Sequence, residues 1–294
     1  MPDVSVVIPT ANRAEFLRTA IASVLAQTFQ DFEIIVVDDA SKDHTAEVVG
    51  NCGDSRIRYF RHETSRGGSA ARNTGIRNSK AESIAFLDDD DEWHPEKLDR
   101  QVMVLKSAPP QVGVINTGYN IVDRSSGRIT GRKIPTQSGN LSRALLVRNC
   151  VGGTSAVLIK RECLNRVGGF DEELRSYQDY DLWIRLSQYC EFECISEPLL
   201  NYYVHSRKIW TNLEALDQGL QVMERKHCSS SSLRKYLSYH HLALGRGYWR
   251  FGNRQRARQC FLKAIRMHPL ELRHYARIGI ALFGLGCPSR LAES

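Results

Sequence analysis

Four consecutive carboxylates, Asp88, Asp89, Asp90 and Asp91, follow directly on the apolar run Ile84, Ala85, Phe86, Leu87 and precede Pro95 and a helical stretch. No other segment restricts the fold so tightly. The apolar run suits a buried strand, but adjacent like charges cannot follow it into a core, because an unpaired buried carboxylate is costly. The strand must deliver them to a mouth where water or a cation neutralises them. Hard divalent ions take oxygen ligands, and Mg2+ is usually held by one or two carboxylates plus substrate phosphates. A strand ending in Asp88-x-Asp90 therefore suggests an ion that carries a diphosphate. The plainer alternative is a solvated cap on the helix over 96–108.

The chain before this run alternates strands with helices. Val4-Ser5-Val6-Val7-Ile8 is a β-branched run, closed by Pro9 and Thr10, with Asn12 placed to cap a helix. Leu17, Ala20, Ile21, Val24 and Leu25 recur at helical spacing, and strands over 32–37 and 57–60 bracket a helix near 43–49. Gly67-Gly68 opens a further helix over 69–78 before the strand over 83–87. Such alternation means a parallel sheet with right-handed crossovers, whose ligand lies outside the carboxyl ends of the strands. Three polar turns fall there: 9–13, 38–41 and 88–91. The first contains no glycine, which excludes the G-x-G-x-x-G of a dinucleotide-binding dehydrogenase and disfavours a sugar nucleotidyltransferase.

The segments VSVVIPTANR, IIVVDDAS, RGGSAARNTGI and FLDDDDEWHPEKL, followed by GGFDEEL, QDYDLWIRL and NYYVH, resemble the family 2 glycosyltransferases over roughly the first 205 residues. Each motif is weak alone, and their order and spacing make the set specific. The resemblance implies an α/β, GT-A fold: a Rossmann-like, mostly parallel sheet flanked by helices. It further implies an inverting transferase that uses a nucleoside-diphosphate sugar, UDP- or dTDP-linked, with Mn2+ or Mg2+. By the same resemblance Pro9, Thr10, Arg13, Asp39 and Arg72 hold the base and diphosphate, Asp89 lies near the ribose, and Asp88 and Asp90 form the D-x-D pair with Asp90 the direct metal ligand. Taken singly, Asp38-Asp39 could be an Asx turn and Arg72 a surface ion pair.

The catalytic base implied is Asp179, with Asp181 capping the helix over 176–188. Family members carry Glu-Asp here, whereas this chain reads Gln178-Asp179, which removes a like charge that would raise the Asp179 pKa. His205 falls where the family often has a histidine facing metal and diphosphate. The arginine usual before it is absent from YYVH, and Arg207 or Lys208 could stand in.

The remaining chain is basic. Residues 207–294 hold 16 Lys and Arg against 5 Asp and Glu, leaving 24 against 28 in residues 1–206. A domain division at 206/207 follows, with an all-α C-terminal extension. Leu244, Gly245, Tyr248, Ala257, Phe261, Ala264 and Pro269 fit tetratricopeptide spacing, with His241 at the usual Trp position. A basic tail suits a polyanion, and peripheral contact with anionic membrane is the expectation carried forward; nucleic acid is not expected, since no recognised motif accompanies the charge. The start of the sequence lacks a basic segment followed by an apolar one, and the apolar segment 278–287 is too short to span a bilayer. The eight cysteines include no C-x-x-C pair, which favours free thiols and a cytoplasmic setting. The function expected is transfer of a sugar to a saccharide or lipid-linked acceptor in cell-envelope assembly. The competing class is a non-catalytic sugar-nucleotide-binding protein acting through its helical tail.

Overall fold

The computed structural model describes residues 1–204, 212–227 and 229–283. It begins with β1 (Val4–Thr10), α1 (Ala14–Leu25), β2 (Phe32–Asp38), α2 (Thr45–Gly50), β3 (Ile57–Arg61), α3 (Gly68–Asn78) and β4 (Ser83–Phe86). Every residue of β1 and β2 is buried, as strands covered on both faces by helices must be. Leu17, Ala20, Ile21 and Val24 of α1 pack on one of those faces, with Leu17, Ile21 and Val24 each contributing about 1.5–3 kcal/mol relative to exposure. On α3, a Cβ at Gly75 would stand 2.2 Å from Val7 Cγ1, so the bare glycine lets this helix lie close on β1.

After β4 come β5 (Glu92–Trp93), α4 (Lys97–Ser107), β6 (Val112–Asp123), β7 (Ile129–Lys133), α5 (Ser142–Leu145), a 3-10 turn (Thr154–Ala156), β8 (Val157–Lys160), α6 (Arg161–Val167), α7 (Gln178–Leu186) and β9 (Glu191–Val204). The strands form one sheet in the order β3-β2-β1-β4-β8-β6-β9-β5, with β7 beside β6. The parallel arrangement read from the alternation holds for β3, β2, β1 and β4. Beyond it the sheet is mixed, because β8 runs antiparallel to both β4 and β6. The cause is local: the 3-10 turn starts β8 at the carboxyl end of β4, so the strand must run back.

The chain divides into two compact units, the first comprising residues 1–142, 150–172 and 178–206. The second takes residues 143–149 and 173–177 as well as 207–294. Its helices are α8 (Leu213–His227), α9 (Ser231–Arg250), α10 (Arg254–Met267) and α11 (Leu272–Phe283). Ser230 caps α9 through Leu233 N, and Asn253 caps α10 through Arg256 N. Gly245 lies against the Phe261 ring, where a Cβ would approach within 2.5 Å, so α9 and α10 pack closely through Ala257, Phe261 and Ala264. Among the described residues no helix is long and apolar enough to cross a membrane.

Candidate active site

The polar turns at the ends of β1, β2 and β4 are bonded to one another. Asn12, at φ 54°, donates its N–H to Ser41 Oγ at 2.8 Å and accepts Lys42 N at 2.8 Å. Its side chain thus joins two loops, and the cap expected from it comes instead from Asp43, which accepts Ala14 N at 3.0 Å. Asp38 forms an Asx-type turn, accepting Ser41 N at 2.8 Å, and also accepts the Tyr59 hydroxyl.

Asp39 is clamped by four donors. Its two oxygens take His62 Nδ1 and Ser65 Oγ at 2.7 Å and the N–H groups of Arg66 and Gly67 at 2.8 Å. Burial alone would raise its pKa, but those donors outweigh burial and hold it below the usual carboxylate range. A nucleotide base N–H would have to share or displace one of four existing bonds. His62, unmarked by sequence reasoning, carries the clamp onward through Nε2 to Thr74 Oγ1 at 2.9 Å. Histidine, Ser and Thr are common loop and helix residues, and nothing in their spacing announces the link.

The Asp run divides by direction. Asp89 accepts Thr10 Oγ1 at 2.8 Å and Arg13 Nη1 at 3.0 Å, and burial pushes its carboxyl up to about 6 despite that guanidinium. Asp90 accepts Arg13 at 3.1 Å. Asp88 meets Arg72 Nη2 and Thr154 Oγ1, while Asp91 accepts Ser155 Oγ at 2.8 Å and Tyr203 N at 3.3 Å. Carboxylate oxygens of Asp88, Asp90 and Asp91 lie within 4.8 Å of one another. Three hard oxygen donors at that spacing fit Mg2+ or Mn2+ better than a soft-ligand metal. Asp91 joins a pair that sequence reasoning had confined to Asp88 and Asp90.

Below this loop lies a buried polar network. Lys97 is wholly buried, with Nζ 3.8 Å from the Trp93 ring centroid and 2.7 Å from Gln101 Oε1. Gln101 donates to Ile115 O and Ala156 O, and Trp93 Nε1 donates to Ser155 O at 2.9 Å. Burial drives the Lys97 pKa well down. The network fixes the turn whose Thr154 and Ser155 hold Asp88 and Asp91.

Arg72 is buried, and among the described residues its Nε and Nη1 have no hydrogen-bond partner. Nη2 is engaged by Asp88, while the Phe170 ring backs the guanidinium at 5.5 Å. An orphaned buried guanidinium is costly, and a phosphate offers the acceptors it lacks.

Asp179 sits in the first turn of α7. Burial raises its carboxyl, Tyr180 N–H and Arg72 oppose, and Asp88 adds to the rise. The elevation survives Gln178, so a neighbouring Glu is not needed for it. Asp181 pairs with Arg185 at 2.7 Å, an ion pair along the helix in addition to its position in the first turn. The Tyr119 ring stands 5.7 Å from that of Tyr202 and against Gly152, whose φ of 109° suits glycine. The site thus gathers Thr10, Arg13, Arg72, Asp88, Asp89, Asp90 and Asp179 around one mouth, with Pro9 buried in β1 and Asp39 in the adjoining turn. His205, Arg207 and Lys208 lie outside the described residues.

The sheet flanked by helices, with an acid loop at the carboxyl edge of its parallel half, is similar to the GT-A glycosyltransferase fold. A mannosyltransferase from Pyrobaculum calidifontis, solved in complex with GDP-Man and Mn2+, has the same fold, with a TM-score of 0.62 and 21% identity over 98% of this chain and 81% of that one. The family model for glycosyl transferase family 2 matches residues 5–166, and the chain belongs to that family. An uncharacterized glycosyltransferase of Rickettsia felis is 35% identical over 213 residues, 70% of this chain but 35% of the relative. The chain thus spans about a third of that relative's length. The Escherichia coli UDP-Glc:alpha-D-GlcNAc-diphosphoundecaprenol beta-1,3-glucosyltransferase WfgD is 32% identical over 213 residues, 70% of this chain and 80% of WfgD.

Proposed function

We propose that this protein is an inverting hexosyltransferase that moves a sugar from a nucleoside-diphosphate sugar, UDP- or dTDP-linked, to a hydroxyl of a saccharide or lipid-linked acceptor in cell-envelope polysaccharide or glycolipid assembly. The observation that carries the reading is Arg72: a buried guanidinium with two orphaned nitrogens beside three converging carboxylates. That pairing suits a pyrophosphate and an ion together and suits neither alone. The UDP-Glc donor and lipid-linked acceptor of WfgD support the donor and acceptor classes, and the Mn2+ of the Pyrobaculum enzyme supports the ion.

In this reading Pro9, Thr10, Arg13, Asp39 and Asp89 line the nucleoside, and Arg72 donates to the diphosphate. Asp90, with Asp88, Asp91 and His205, would hold Mn2+ or Mg2+, which when bound supplies positive charge against the leaving diphosphate. Asp179 takes the proton from the acceptor hydroxyl. The freed oxygen attacks the anomeric carbon opposite the leaving group, inverting it. A carboxyl raised by burial is the stronger base for that transfer.

The test is a donor screen: thermal unfolding with UDP-, dTDP- and GDP-sugars, with and without Mn2+, followed by transfer and hydrolysis assays. A metal-dependent rise in Tm with turnover is expected. Binding without turnover would favour the non-catalytic class, and no binding by any sugar nucleotide would sink the reading.

A further inference from the structure

Helix α10 breaks a local rule of helix design. Its sequence, RQRARQCFLKAIRM, carries five cations and no carboxylate. Arg254 and Arg256 stand at the N-terminal end, where the helix dipole disfavours positive charge. Two of the cations are accounted for inside the unit: Arg256 pairs with Asp217 at 3.1 Å and Lys263 with Glu224 at 2.7 Å. Both of these tie the helix to α8. Arg254, Arg258 and Arg266 have no carboxylate partner among the described residues, and with Leu262 they form a row at i, i+4, i+8 and i+12. That row lies away from the buried stripe of Ala257, Cys260, Phe261 and Ala264.

Apolar side chains are exposed along the same helix and at its ends. Leu262 is 53% exposed, Phe251 in the preceding turn 76% and Leu270 in the following turn 89%. Six of the twelve exposed large apolar residues among those described fall between positions 251 and 280. Trp249 adds an amphipathic ring, with Arg254 stacked 3.6 Å from its centroid. Arginines without a carboxylate partner, interleaved with exposed Phe and Leu, suit the headgroup zone of a bilayer, where guanidinium meets lipid phosphate and the apolar tips enter the acyl boundary. A nucleic acid could stack a base on Phe251 but would leave the aliphatic Leu262 and Leu270 with no apolar phase to enter.

We propose that the exposed face of α10, with the turns at its two ends, is a docking surface for an anionic lipid bilayer. The surface lies wholly within the second unit and does not depend on the transfer reaction, so either reading can fail alone.

The experiment is co-sedimentation of the full chain with vesicles of phosphatidylcholine alone or mixed with phosphatidylglycerol. Binding to the mixed vesicles only, released by added salt, is expected. Each arginine near an anionic surface is worth about fivefold, so Arg254→Glu/Arg258→Glu/Arg266→Glu should lower partitioning on the order of 100-fold or more. The unfolding midpoint of this variant should match wild type. If it does not fold, Arg258→Gln/Arg266→Gln carries the comparison. Phe251→Ser/Leu262→Ser, which keeps every charge, should also weaken binding. No sedimentation with phosphatidylglycerol, equal sedimentation with neutral vesicles, retention by DNA but not by vesicles, or wild-type binding by the charge variants would each overturn the proposal.

Discussion

At Asp179 a single oxygen separates two outcomes. Asp179→Asn keeps shape and removes the base, so transfer should fall by roughly 10²–10⁴-fold while donor affinity, read by calorimetry, stays within a few fold. Arg72→Ala should do the reverse, weakening the nucleoside diphosphate by about 10- to 100-fold, as expected for charged hydrogen bonds. Glu33 offers a stability measurement away from the mouth. It accepts Lys80 N at 2.6 Å, Ser5 Oγ at 2.7 Å and Arg58 Nη1 at 3.0 Å. Burial raises its pKa, but these donors prevail and hold it below the ordinary 4.5. A depressed folded pKa means the stabilisation is present above that ordinary value and is lost as pH falls through the folded one. Urea unfolding from neutral to acid pH should lose stability in that window, and Glu33→Gln should flatten this part of the slope.

The elements show why some features could be read from the sequence and others could not. Runs such as Val4 to Ile8 and the helical stripe from Leu17 to Val24 are periodic, so β1 and α1 were legible. So was the Asp run, because four charges beside an apolar strand leave few options. The direction of β8 was not, since it is set by where a 3-10 turn lands and no periodicity encodes that. With it went the parts played by Thr154 and Ser155. The buried Lys97 was missed because a lysine in an amphipathic helix ordinarily faces water. Close helix approach yields its own measurement: Gly75→Ala drives a methyl into Val7 and should cost about 1–3 kcal/mol in urea unfolding. Gly50, whose Cβ would meet nothing within 4 Å, is the control, and Gly50→Ala should stabilise by about 0.4–1 kcal/mol.

For the molecule as a whole, the ion and the donor are expected to bind as one. EDTA should abolish the donor-induced rise in Tm, and Asp90→Ala should abolish it without EDTA, leaving the ligand-free Tm nearly unchanged. A donor response indifferent to chelation would remove the ion from the reading.

One carboxylate in β2's turn holds the amides of residues 66 and 67, and through His62 reaches the helix that bears Arg72. Those two amides should therefore exchange slowly with deuterium before any nucleotide is added. That turn would then meet its ligand already set, and rapid recognition there would come from rigidity present before any nucleotide arrives.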